Sequence, residues 1–119
     1  MYFFLILIII IIFIIIFKNF KNNRENFYVG PSKINGVGVH TFEDIPHNTI
    51  LFKAIDRNNK ITQLGSKVNH CHKPNTKLVE IGDSWFLIST KNLKNLEELT
   101  ADYNDTPDFV KKPNPNWTC

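Results

Sequence analysis

Two stretches decide how this chain is read: Val68-Asn69-His70-Cys71-His72-Lys73-Pro74-Asn75 and, further on, Glu97-Glu98-Leu99-Thr100-Ala101-Asp102-Tyr103-Asn104. In the first, Asn69 and His70 place an amide beside an imidazole, so donors and acceptors stand together, and Pro74 stiffens the path that follows. On residue types alone it reads as a structural loop, as a loop touching a cofactor, or as an ordinary polar loop. The adjacent His70, Cys71 and His72 also raise the question of a metal. Structural zinc sites pair ligands two to four residues apart and need a second pair, and Cys119, His40 and His47 do not supply one. No metal is expected. In the second stretch Tyr103 follows an acidic and short apolar run. It reads as a core residue with its hydroxyl at the surface, or as a phenol that holds an amine or helps a group transfer in a pocket.

Further features lie outside this pair. Ser32-Lys33-Ile34-Asn35-Gly36-Val37-Gly38-Val39 carries a Gly-x-Gly, which serves a tight turn or brings backbone against a ligand. A dinucleotide fingerprint needs a third glycine opening a helix, and Thr41 occupies that place in an extended context. Phe109 and Trp117 lie in a proline-rich tail that covers a groove or patches a sheet edge. There is no Ser-His-Asp order and no partner pattern for paired carboxylates, which argues against the common hydrolases.

The 119 residues allow one compact domain at most. Lys and Arg number 14 against 11 Asp and Glu, and a net charge of +3 is too weak to argue for direct nucleic-acid contact. Met1 to Phe17 is unbroken apolar sequence, followed by Lys18, Lys21 and Arg24. That pattern predicts a transmembrane anchor over 1–17, a polar tether over 18–26, and a single-pass membrane protein with its C-terminal domain in the cytosol. A cleavable signal would place its basic residues before the apolar run and small residues after it. From Phe27 on, short strand-like pieces alternate with turns: Tyr28-Val29, the stretch ending near Phe42, Thr49 to Phe52, Lys77 to Ile81 and Ser84 to Ser89, the last two joined by a Gly82-Asp83 turn. Leu93, Leu96 and Leu99 fit one helical turn or a loop. The two cysteines, Cys71 and Cys119, say little about redox compartment.

Taken in order, these features resemble the SET domain, the fold of protein lysine methyltransferases, and its small viral or bacterial-type members. Lys33 to Val39 is similar to the family's opening Gly-x-Gly motif. Asn69-His70-Cys71-His72-Lys73-Pro74-Asn75 resembles its Asn-His-Ser-Cys-x-Pro-Asn signature, and Leu96 to Tyr103 its closing Glu-Glu-Leu-Thr segment. The resemblance runs from Phe27 to Trp117. It implies a mostly β fold of several small curved sheets with a threaded C-terminal segment, here preceded by one transmembrane helix, with a SET-like domain over 27–103 and a post-domain tail over 104–119.

The same resemblance implies an S-adenosylmethionine site formed by Asn69, His70, the backbone of Ile34, Asn35, Gly36, Val37 and Gly38, and Trp117, with Tyr103 at the position of methyl transfer. The implied reaction is methylation of a lysine side chain in a protein or peptide, a histone among the candidates. Three departures qualify the resemblance. Cys71 stands for the usual serine, and His72 stands where larger members place a zinc ligand. Only 13 residues separate Ile55 from Asn69, where the family inserts a longer groove wall. The alternative is a non-catalytic SET-like binding or scaffold module tethered to a membrane.

Overall fold

The computed structural model describes residues 2–22, 26–117 and 119. It opens with helix α1, Tyr2–Asn22, whose side chains from Tyr2 to Ile15 are exposed. Among the described residues no helix is long and apolar enough to cross a membrane. The uncharged part of α1 stops at Phe17, and its 16 residues rise only about 24 Å, short of the roughly 30 Å of a bilayer's hydrocarbon core. The expected transmembrane helix, and with it the single-pass membrane localisation, is therefore corrected. The helix continues to Asn22, so the first part of the 18–26 stretch is helical; its residues 23–25 lie outside the described residues.

The rest is mostly β and is divided into three small sheets. Strands β1 (Phe27–Pro31) and β2 (Val37–Thr41) pair antiparallel, with Tyr28 opposite His40. Strands β3 (Ile50–Ile55), β5 (Thr76–Ile81) and β6 (Ser84–Ser89) form an antiparallel sheet in the order β3-β6-β5. Gly82-Asp83 turns β5 into β6, as two residues between alternating runs dictate. The β3–β6 register shifts twice, between Ile50 and Phe52 and between Lys53 and Ile55, which bends the sheet over the core.

The third sheet is two residues deep. Strand β4 (Asn69–His70) lies parallel to β7 (Thr100–Ala101), with Asn69 opposite Thr100 and His70 opposite Ala101. The stretch leading into β7 is irregular: Leu93 bridges to Ile45, and Leu96 adopts a left-handed backbone with φ of 70°. Leu93 to Leu99 is accordingly a loop: Leu93 and Leu99 enter the core, whereas Leu96 between them is exposed. Leu99 donates its amide to Val39 and Leu96 to Thr41, so this segment is sewn to β2 on one side and delivers β7 to β4 on the other. Val39, Ile55, Leu87, Leu93 and Leu99 are almost fully buried where the three sheets converge. Each sheet is too small to bury its apolar face alone, so the shared core is what holds them.

A candidate cofactor cleft and its neighbour

The β4–β7 ladder brings the two stretches quoted at the outset together. Asn69 and His70 leave it on one strand, and Tyr103 follows it on the other at the head of a short 3-10 turn, Tyr103–Asp105, capped by the Asp102 carboxylate, which accepts from the Asn104 amide. Asn75, later in the first stretch, staples the two from the side. Its Nδ2 donates to the Glu98 carbonyl at 2.8 Å and its Oδ1 accepts from the Thr100 amide at 2.8 Å.

The orientation of the Asn69 amide follows from its surroundings. Nδ2 has four oxygens around it: Ser32 Oγ at 3.0 Å, the Asn35 and Val37 carbonyls at 3.1 and 2.9 Å, and Glu98 Oε2 at 3.0 Å. A flipped amide would set its oxygen against four others, so only the nitrogen fits there. Oδ1 is left as the free, accepting end. The nest is tied further by Ser32, whose hydroxyl donates to the Glu98 carboxylate at 2.8 Å and accepts from the Ile34 amide at 2.9 Å.

His70 is buried, and its role is set in the same way. Its Nδ1 accepts the Tyr103 backbone amide at 3.0 Å, so the ring proton resides on Nε2. Asp102 Oδ1 lies 3.7 Å from Nδ1, beyond hydrogen-bond reach. The Tyr103 hydroxyl donates to the Val68 carbonyl, and burial pushes the phenol above its ordinary pKa, so it is a neutral donor. Trp117 packs at the other side, with ring centroids 6.0 Å from His70 and 5.9 Å, edge to face, from Tyr103.

Two clefts result. One is polar and is lined by Ile34, Asn35, Asn69, His70, Tyr103, Asn116 and Trp117. The other is mostly apolar; Ala54 and Ile55 of β3, Ile61, Gly65 and Val68 of the following segment, and Val110 are among its walls. Among the described residues Tyr103 is the one that lines both. Among the expected site residues, the structure thus gathers Ile34, Asn35, Asn69, His70, Tyr103 and Trp117 around one cleft. Gly36, Val37 and Gly38 are not among the residues that line this cleft and stand one layer back. Gly36 closes the turn by accepting the Ser32 amide, Val37 offers its carbonyl to Asn69, and Gly38 lies under the Glu98 carboxylate.

No protein-family model matches the sequence, and no curated protein matches it closely enough to count as a relative. Solved structures do match. One is the crystal structure of a Plasmodium falciparum protein provisionally named a histone methyltransferase, with a TM-score of 0.56 and 21% identity over 68% of this chain and 95% of that one. The fold is shared. At that identity the likeness speaks for the fold, and the chemistry has to be argued from the side chains.

Ser32, Glu98, Asn75 and Asn116 are site residues that sequence reasoning left without a role. Ser32, Glu98 and Asn75 sit inside the quoted motifs, but their partners lie 66, 29 and 25 residues away, and no local spacing signals that. Among the described residues no cluster of His, Cys, Asp or Glu is arranged to hold a metal. Cys71 and Cys119 form a disulfide.

Proposed function

We propose that this chain binds S-adenosylmethionine in the polar cleft and transfers its methyl group to the side-chain amine of a protein lysine entering through the apolar cleft. The observation that carries the reading is the position of Tyr103 as the shared wall of both clefts. A two-substrate transfer needs two sites that meet at the reacting atoms, and one binding pocket does not.

The residues fit the donor's chemistry. Asn69 Oδ1 faces no protein donor among the described residues and is free to accept from the donor's ammonium group, while the His70 Nε2 proton is free to be given to an oxygen or nitrogen. The Trp117 ring offers a flat apolar face to a purine, or cation–π attraction of order 1 kcal/mol to a sulfonium. When bound, the donor supplies an electrophilic methyl on a positively charged sulfur, and its departure leaves a neutral thioether.

The chain's own contribution is alignment and dryness. The apolar cleft accepts the four-carbon stem of a lysine and disfavours its charged form, so the amine enters neutral, with its proton left to water. The Tyr103 hydroxyl is held by the Val68 carbonyl, which fixes its oxygen at the junction, where a lone pair accepts one amine hydrogen and turns the nitrogen's own lone pair along the line of attack. The short segment between Ile55 and Asn69 still provides Ile61, Gly65, Ser66 and Val68 to the apolar cleft. Brevity therefore leaves a wall in place.

Calorimetry with S-adenosylmethionine and the full chain tests the first half, and radiolabelled methyl transfer to a lysine-containing peptide array, histone tails included, tests the second. Binding and transfer to lysine are expected. Binding without transfer to any peptide would favour the non-catalytic module, and no binding by folded protein would overturn the reading.

A further inference from the structure

The disulfide links two places that chain connectivity leaves far apart. Cys71 directly follows Asn69 and His70, and Cys119 follows Trp117 by two residues; their separation is 48 residues, and their Cα atoms are 4.7 Å apart. Trp117 and its neighbour Asn116 form one side of the polar cleft. The chain that carries them is otherwise lightly held. Val110 packs against the core, and beyond it the hydrogen bonds of the described residues are local, such as Trp117 N to the Asn114 carbonyl at 3.0 Å and Asn116 N to Asn114 Oδ1 at 3.0 Å. Lys112 reaches back only to the Thr106 carbonyl, at 3.4 Å. Apart from the Trp117 ring contacts, the ties from the end of the tail to the body among the described residues are the disulfide and a 3.3 Å backbone hydrogen bond from the His72 amide to the Cys119 carbonyl.

We infer that Cys71 and Cys119 are positioning residues: their disulfide clamps the tail so that Trp117 and Asn116 complete the cleft, and donor binding is consequently tied to the oxidation state of this pair. This extends the proposed methyl-donor site and rests on that reading for the identity of the ligand. The step is a thiol–disulfide exchange. A dithiol reductant gives two electrons and two protons, the Cys71–Cys119 sulfur–sulfur bond breaks, both side chains become thiols, and the reductant becomes its own disulfide. With the sulfur–sulfur bond broken, what ties Trp117 and the tail's end to the body among the described residues is the pair of ring contacts with His70 and Tyr103, at centroid distances near 6 Å, and the single long backbone bond from His72 to Cys119. Three rings at that spacing are weak restraint for a proline-rich segment. Asn69 and His70 are held independently by the β4–β7 ladder and the Glu98 nest, so the other side of the cleft stays formed.

The test uses the full chain carrying Trp85→Phe, so that Trp117 is the only tryptophan. Thiol labelling first establishes the oxidised form. Acrylamide quenching of Trp117 and calorimetric affinity for S-adenosylmethionine are then measured with and without a dithiol reductant, and again for Cys119→Ser. The expected result is that reduction raises quenching and weakens donor binding tenfold or more, while Cys119→Ser matches the reduced form under both conditions and retains the same far-ultraviolet dichroism. Two free thiols in protein prepared without reductant, or quenching that does not change on reduction, would overturn the clamp. Increased quenching with unchanged donor affinity would overturn its positioning role. If Trp117 is released on reduction but neither form binds the donor, the clamp stands and the methyl-donor reading is the one that fails.

Discussion

Replacing Gly38 with alanine tests the nest that fixes Asn69. A Cβ at Gly38 would lie 2.4 Å from Glu98 Oε2, 2.7 Å from Glu98 Cδ and 3.2 Å from Asn69 Nδ2. Ordinary contact requires about 3.4 Å or more between such atoms, so the carboxylate has to move by about 1 Å. Glu98 is half-buried and flexible enough to swing outward, and the fold survives. What it leaves behind is the 3.0 Å bond from Asn69 Nδ2 and the 2.8 Å bond from the Ser32 hydroxyl. Hydrogen bonds to a charged group contribute about 1.5–3 kcal/mol each, and part is recovered when the carboxylate reaches water. A net loss of about 2 kcal/mol follows, read as a lower unfolding free energy in urea. Asn69, freed from its charged acceptor, is no longer presented to the donor in one orientation, and calorimetric affinity for S-adenosylmethionine is expected to fall about tenfold. Gly36→Ala is the control: φ there is +50° and nothing lies within 4 Å of the new Cβ. It costs about 1 kcal/mol of backbone strain and leaves Glu98 in place. If the two variants bind the donor equally well, steric displacement of Glu98 is the wrong account of this glycine.

Tyr103→Phe keeps the ring between the clefts and removes the hydroxyl, so donor affinity should hold within about twofold while single-turnover methyl transfer drops about tenfold or more, equivalent to ~1.4 kcal/mol of lost transition-state stabilisation; equal transfer rates would remove the hydroxyl from the mechanism. The same phenol has an alkaline signature. Burial raises its pKa in the fold, so its share of stability is intact below the unfolded value of about 10 and is lost as pH climbs from there through the folded value. Urea midpoints between pH 8 and 11 should therefore fall less steeply in Tyr103→Phe than in the parent. Asn75→Ala strips the Glu98 carbonyl and the Thr100 amide of their partners at once, and a loss of about 2–4 kcal/mol in unfolding free energy is expected from two unmade bonds, with a stability change under 1 kcal/mol counting against the staple.

The strands were legible because their apolar alternation and the turn residues between them are local signals. Asn69, His70 and Tyr103 could be grouped only as ordered motifs, since no spacing rule puts residues 69 and 103 side by side. What escaped reading has one physical cause. Gly38 reads locally as a turn or as ligand-facing backbone, and neither reading shows that its missing Cβ makes room for a carboxylate 60 residues later in the chain. Ser32, Glu98 and Asn75 act through hydrogen bonds that exist only after tertiary contact, and a serine or glutamate carries the same letter whether it is solvated or not. The pairing of Cys71 with Cys119 is of the same kind. At the N-terminus the error ran the other way: a purely apolar composition was read as a span, and the uncharged length of α1 does not reach across a bilayer.

The parallel ladder of β4 with β7 also sets when the molecule becomes competent. Asn69 gains its partner only when Thr100 arrives, and the carriers of that segment, the bonds from Leu96 and Leu99 to β2, close loops of more than 50 residues. Such contacts return nothing until most of the chain entropy has been spent, so they form late and slow the approach to the native state. The β5–β6 hairpin, closed by a two-residue turn, has no such delay. Refolding should accordingly show strand signal before ligand-binding capacity, and a polypeptide still emerging from its ribosome should have a hairpin long before it has a cleft. A chain halted before Thr100 would lack the ladder altogether, which makes the last sixth or so of the sequence the switch between an assembled and an unassembled site.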